Sequence, residues 1–366
     1  MAGLRSRNSR FRKTLVAGLT VVVAAVAAVS VYMAFKDRSS YSPGLGTTVK
    51  PLPLSLSAWV VDWQWEASIA DFEAIVPGLD EVQAFAAYFG SKDELYFTEE
   101  DEHLLPGVLA AAERGGIPNT QLTIVNDRYS EDGSTSEEKD PELVRRLMLT
   151  HESRSKHMDE LMSAVDKFGF GGLELDYEKV PEGTWNNYAQ FIQALYTRLH
   201  EQGKTLRIVL ESRAPLEKRI LPEGPEYVMM AYNLYGGFSG PGPKADDKFI
   251  AKLAKRMKAL PGDNAIALSL GGFDWSADGK VKSLTETQAV ELSNAAQQIK
   301  RDTASGSLHF RYTDEDGVEH TVWYADSTTL KRWIGVVRNS GMHKIAIWRL
   351  GGLSEDMKTA IKDGSG

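Results

Sequence analysis

The chain has 366 residues, 42% of them hydrophobic, enough to bury a large core and compatible with one large α/β domain. Six of its 42 basic residues and none of its 50 acids fall in the first 36 positions, so the remainder sets 36 basic against 50 acidic residues, a balance of −14. That charge argues against nucleic acid or an anionic membrane surface as ligand and suits a neutral polymer, while the absence of cysteine excludes thiolate catalysis, disulfides and thiolate metal sites together.

At the N-terminus, Arg5, Arg7, Arg10, Arg12 and Lys13 form a basic tail over residues 1–13. The uncharged apolar stretch Thr14 to Phe35 follows, and at 1.5 Å per residue it spans about 33 Å, enough for a bilayer. Basic residues stay cytoplasmic, so the spacing predicts a single-pass anchor over 14–35 with the rest of the chain outside the cytoplasm. A cleavable signal peptide, giving a secreted protein, is the competing reading, because Ala25-Val26-Ala27 and Ala28-Val29-Ser30 resemble cleavage sites. The anchor is preferred because its apolar stretch exceeds a signal h-region of roughly 7–15 residues. Residues 36–53, rich in Ser, Gly, Pro and Thr, read as a linker.

From residue 54 onward, short apolar runs recur, each followed by a loop and a helix-like amphipathic stretch. They are Ala58 to Asp62, Val82 to Tyr88, Leu122 to Asn126, Gly172 to Glu178, Leu206 to Leu210, Tyr227 to Tyr232, Ala265 to Leu270 and Lys344 to Leu350. Eight strand candidates separated by helices predict an α/β fold, a (β/α)8 TIM barrel over 54–366.

The fourth run carries the chemistry. Gly172-Leu173-Glu174-Leu175-Asp176-Tyr177-Glu178 alternates acid with apolar residue, so the strand period puts Glu174, Asp176 and Glu178 on one face. Same-face neighbours lie ~7 Å apart, and at an effective dielectric of about 20 two charges at that distance repel by roughly 2.4 kcal/mol. Two such repulsions plus desolvation keep at least one acid protonated near neutral pH. A protonated carboxyl beside an ionised one is the equipment of glycosidic-bond hydrolysis. An edge strand with its polar face in solvent would show the same alternation. Against it, apolar stripes flank the strand on both sides: Met158, Leu161, Met162, Val165 and Phe168 before it, and Tyr188, Phe191, Ile192, Leu195, Tyr196 and Leu199 after it. A strand held between two amphipathic helices points its inward residues to the barrel mouth, where Glu178 ends the run.

Further along, Met230-Ala231-Tyr232-Asn233 closes the sixth run, placing the Tyr232 hydroxyl near the acids or its ring in the barrel filling. The loop Gly236 to Pro243 is glycine-rich, but two prolines break the offsets that phosphate binding needs. Leu308 to Thr313 and Val318 to Tyr324 flank Asp316-Gly317, which predicts a β-hairpin inserted between the seventh strand and its helix, with Asp326-Ser327 capping that helix. Trp348 in the last run is either core or a subsite floor for a sugar's C–H face, and Trp63, Trp65, Trp275 and Trp323 could extend such a groove. Seven scattered histidines show no metal-ligand spacing, and neither Asp314 to Gly317 nor the acidic stretch Glu131 to Glu142 has a calcium-loop pattern, so both read as solvated turns. No metal and no cofactor are expected.

These residues together carry a resemblance. Gly171 to Glu178 resembles the Asp-x-x-Asp-x-Asp-x-Glu signature of the family 18 glycoside hydrolases, the chitinase and N-acetylglucosaminidase family. Met230-x-Tyr232-Asn233 is similar to that family's Met-x-Tyr-Asp, and Ile347 to Gly351 to its eighth-strand Trp motif. The hairpin followed by Val322 to Asp326 resembles the branch that includes bacterial spore-cortex and cell-wall glucosaminidases. The resemblance implies a retaining mechanism in which the substrate's own 2-acetamido oxygen is the nucleophile, an exception to the two-carboxylate rule. Glu178 matches the general acid and base; Asp176 would hold the acetamide N–H, Tyr232 would bond its carbonyl, and Trp348 would lie under the reacting sugar. Asn233 takes the position of the family's Asp, and Met230 stands in the same motif.

Three departures stand out. Gly171 replaces the signature's first Asp, and Glu174 its second, with a side chain one methylene longer that could still reach Asp176 to share a proton, while Asn233 in place of Asp removes a charge next to the acid and would shift its working pH. The resulting expectation is a membrane-anchored, monomeric hydrolase of β-linked N-acetylglucosamine polymers, peptidoglycan or chitin-like. A weakly active or inactive sugar-binding barrel and an inverting glycosidase are the alternatives.

Overall fold

The computed structural model describes residues 52–131 and 135–364; the basic tail, the anchor over 14–35 and nearly all of the linker lie outside the described residues. Among the described residues no helix is long and apolar enough to cross a membrane.

Eight parallel strands form the barrel, and we number them β1 to β8: Ser55–Val61, Glu81–Phe89, Asn119–Tyr129, Gly172–Asp176, Thr205–Leu210, Glu226–Met230, Ala265–Ser269 and Lys344–Trp348. Each pairs with the next, and β8 returns to β1 in the register Ser55↔Lys344 to Ala58↔Ile347, which closes the ring. All eight predicted runs are strands, and the (β/α)8 expectation holds.

The helices around β4 follow from their stripes. His151–Phe168 begins with a capping box, in which Thr150 and Ser153 satisfy each other's free amides, and buries Met158, Leu161, Met162 and Val165 against the sheet. It ends at Gly169 in the left-handed region, φ 82°, where a residue without Cβ is unstrained. Trp185–Glu201 buries Tyr188, Phe191, Ile192, Leu195 and Leu199 on the other side. Between them, Leu173 and Leu175 face the helices and Glu174 and Asp176 face the barrel interior, as a period of two demands.

β4 stops two residues earlier than its alternation suggests. Beyond Val125↔Asp176 the backbone ladder is replaced by a side chain: Asn126 Oδ1 accepts from the Glu178 amide at 2.9 Å and Nδ2 donates to the Glu178 carbonyl at 3.0 Å. Glu178 therefore sits on a clamped loop rather than at a strand end.

The predicted hairpin is part of something larger. Its strands, Leu308–Thr313 and Glu319–Ala325, lie in a five-stranded antiparallel sheet with Ile299–Arg301, Gly271–Ser276 and Val281–Leu284, all inserted between β7 and its helix. Asp326 caps that helix, Ser327–Asn339, by accepting from the Thr329 amide.

Candidate active site

At the carboxyl ends of the strands lies a cleft of about 600 Å³. Asp176, Glu178, Tyr232, Asn233, Met230, Trp63 and Trp348 all line it, so seven residues drawn from four separate motifs converge on one site. Their aromatic wall is continuous: the Trp348 ring lies 5.6 Å from Trp59, 5.0 Å from Phe85 and 6.3 Å from Trp63. Such a wall can take the apolar face of a sugar ring.

Glu178 is nearly buried, with 13% of its side chain exposed, and its Oε1 lies 2.6 Å from Lys139 Nζ. Burial and the neighbouring Glu211 carboxyl push its pKa up to about 7, and the Lys139 ammonium only partly opposes them. Asp176 is raised well above the usual carboxylate range, first by burial and then by Glu178 and Glu174. One of its oxygens, Oδ1, is buried without a hydrogen-bond partner. A carboxyl that gives up its proton near pH 7 is suited to general acid catalysis, which requires the protonated form. We predict that kcat/KM falls by about tenfold per pH unit above pH ~7. An initial-rate pH series checks this, and a profile flat to pH 9 would contradict it.

Glu174 departs from its assigned role. It is fully buried beneath the cleft and does not line it. Trp59 Nε1 donates to its Oε1 at 2.5 Å, Thr123 Oγ1 donates to the same atom at 2.8 Å, and Arg207 Nε donates to Oε2 at 2.9 Å. The longer side chain thus reaches Arg207 instead of sharing a proton with Asp176. Of the three acids' mutual repulsion, the part due to Glu174 is offset by a buried guanidinium, which also faces Glu81 at 3.0 Å and Glu226 at 3.5 Å.

Three tryptophans are not where the groove reading put them. Trp275 Nε1 donates to the carbonyls of Gly236 and Ser239, so it ties down the glycine-rich loop. Trp323 stacks on His309 at 4.3 Å, on the inserted sheet and away from the cleft. Trp65 stacks on His103 at 5.0 Å. In each case the ring found a protein partner, and residue type alone does not reveal that.

The acidic stretch Glu131 to Glu142 is also corrected. It is not only a solvated turn, because Ser136, Glu138 and Lys139 line the cleft and Asp140 caps the helix Pro141–Met148. Lys139, Asn126 and Arg207 are site residues that sequence reasoning missed. Arg207 left a signal, being a lone cation inside the apolar run Leu206 to Leu210; Lys139 left none beyond sitting among acids.

Comparison with known proteins agrees with this geometry. Residues 139–352, more than half of the chain, match the family model for Glycosyl hydrolases family 18. The chain is 24% identical over 242 residues to the uncharacterized glycosylase YvbX of Bacillus subtilis (strain 168), across 62% of this chain and 70% of that protein. It is 26% identical over 223 residues to the cortical fragment-lytic enzyme of Bacillus anthracis, across 54% of this chain and half of that relative's length. In structure it resembles the spore cortex-lytic enzyme SleL of Bacillus cereus, with a TM-score of 0.72 at 19% identity over 86% of this chain and 75% of the other. It also resembles a chitinase from Chromobacterium violaceum ATCC 12472, with a TM-score of 0.72 at 19% identity over 85% and 98%. At those identities the structural likeness speaks to the fold, whereas the family match extends through the acidic strand, the Tyr232 motif and Trp348: the chain belongs to family 18 of the glycosyl hydrolases and is a glycoside hydrolase.

Proposed function

We propose that the protein hydrolyses β-linked N-acetylglucosamine polymers, of the peptidoglycan or chitin type, with retention of configuration and with the substrate's acetamido group as nucleophile. The observation that carries this reading is the convergence of Asp176, Glu178, Tyr232 and Trp348 on one cleft. A carboxyl group lining that cleft offers an acceptor of the right kind for an acetamide N–H. Glu178 then protonates the leaving oxygen and, in the second half of the reaction, takes a proton from water. Asp176 orients the acetamide and offsets the positive charge of the oxazolinium ion, and the Tyr232 hydroxyl donates to the acetamide carbonyl. Trp348 forms the floor under the reacting sugar, and Trp63 and Asn233 border it.

The N-terminal sequence supports a location outside the cytoplasm on a single-pass anchor, where such polymers are found. A soluble form covering residues 36–366 should cut chitooligosaccharides, purified peptidoglycan or both, and should cut N-deacetylated glucosamine oligomers far more slowly because the nucleophile is missing. Equal rates on acetylated and deacetylated chains would end the acetamide reading; cleavage of none of these substrates would end the substrate assignment.

A further inference from the structure

Lys139 plays no part in the steps above, yet it is held at the proton donor. Its Nζ contacts Glu178 Oε1 at 2.6 Å, and among the described residues no other acid reaches ion-pair distance of it. Its backbone lies in the left-handed region, φ 57°, which a residue with a Cβ rarely adopts. That conformation is fixed on both sides. The Lys139 amide donates to Asp127 Oδ1 at 2.7 Å, and the next residue, Asp140, caps a helix and binds Arg128 at 3.1 Å.

The acid must carry its proton when the substrate arrives, and a protonated Glu178 no longer balances the Lys139 charge. Asp176 and Glu211 act on Lys139 from further away, Asp127 accepts from its amide and feels its charge, and Glu138 and Arg213 line the same cleft. Among the described residues none of these acids comes within ion-pair distance of Lys139 Nζ, and Glu211 accepts from the Lys179 amide at 2.7 Å. An anion carried by the substrate next to the leaving oxygen would restore the balance at the point where it is lost. In a β-1,4-linked glycan the leaving oxygen is O4 of the aglycone sugar. In N-acetylmuramic acid the adjacent O3 bears a lactyl ether, whose free carboxylate stands within a few ångströms of the oxygen that Glu178 protonates.

We propose that Lys139 selects N-acetylmuramic acid with a free lactyl carboxylate on the aglycone side, exchanging its ion pair with Glu178 for one with the substrate. This rests on the hydrolytic reading above and names its substrate. The exchange ties binding to protonation, since the lactyl group takes over Lys139 as Glu178 takes up its proton. A peptide on the lactyl group turns the carboxylate into an amide and removes the charge. The preferred substrate is therefore peptide-free glycan, supplied by a hydrolase that cleaves the lactyl–peptide amide bond. Chitin-like chains, with a plain hydroxyl at O3, are poorer substrates.

The test compares kcat/KM on three tetrasaccharides: one alternating N-acetylglucosamine with N-acetylmuramic acid, the same with its lactyl groups as methylamides, and chitotetraose. Wild type, K139Q and K139R are each measured at their own pH optimum. Wild type should favour the free acid by about tenfold over both others, mainly through KM, the size expected for one charge-assisted hydrogen bond. K139Q should bring that ratio close to one, and K139R should retain most of it. K139Q should also move the alkaline limb of the pH profile upward, because Lys139 opposes protonation of Glu178. A ratio near one in wild type, or a preference that survives in K139Q, overturns the selection while leaving hydrolysis intact. Failure of folded wild type to cut any of the three overturns both readings.

Discussion

Replacing Glu178 by Gln should lower kcat by about a thousandfold, within the 10²–10⁴ range that general acid catalysis supplies, while leaving the fold intact. Gln keeps the shape of the side chain and the Asn126 clamp, which holds backbone atoms alone. What it loses is a proton whose affinity burial and Glu211 have raised into the neutral range. Removing a carboxyl from a site crowded by Asp176 and Glu211 relieves repulsion, while Lys139 loses its ion-pair partner but keeps 37% of its side chain in contact with water, so the melting temperature of Glu178→Gln should stay within about 2 °C of wild type. Measuring kcat and the thermal midpoint on the same preparation separates the two effects. Wild-type activity in the Gln variant would remove Glu178 from the mechanism, and a large drop in midpoint would recast it as a structural residue.

The second large effect concerns stability. Arg207 is 2% exposed and pairs with the fully buried Glu174, and its guanidinium also faces Glu81, Glu226 and Ser57. Removing one member of a buried ion pair leaves the other without compensation, at a cost of about 3–5 kcal/mol. For a domain of this size, Arg207→Met should therefore lower the melting temperature by roughly 5–8 °C. The double variant Arg207→Met/Glu174→Met should recover part of that loss, because well-packed apolar residues often replace a buried pair without penalty. If the single variant melts like wild type, Glu174 does not depend on Arg207, and its bonds from Trp59 and Thr123 suffice to hold it. If the double variant is worse than the sum of the singles, Glu174 has a partner besides Arg207 that matters more.

The parts of this molecule that could be read from sequence follow simple periodicities. Alternation in Gly172 to Glu178 and the three-and-four spacing on both flanking helices depend only on local geometry, and they correctly put Glu174 and Asp176 inside a barrel. The convergence of Asp176, Glu178, Tyr232, Trp63 and Trp348 was legible because each stands at or just past the carboxyl end of a barrel strand, and the barrel brings those ends together. What stayed hidden depends on contacts between distant segments. The Glu174–Arg207 pair joins residues 33 apart in sequence, and nothing local says which way a buried Glu will turn. Lys139 reaches Glu178 across 39 positions from a loop whose composition reads as solvated. Gly271–Ser276 and Val281–Leu284 were missed as strands because they are short and, for the second, largely exposed, so they lack the apolar run by which a buried strand is recognised. Trp275 and Trp323 show the limit of reading by residue type: an indole is as good a partner for a loop carbonyl or an imidazole as for a sugar.

Product stereochemistry tests the central claim most directly. In a proton NMR time course on chitotetraose at pH 6, recorded before mutarotation, an acetamide nucleophile displaced in turn by water predicts that the β-anomer appears first at the newly formed reducing end. Initial accumulation of the α-anomer would mean a single displacement by water, and the catalytic roles of Asp176, Tyr232 and the acetamido group would not stand.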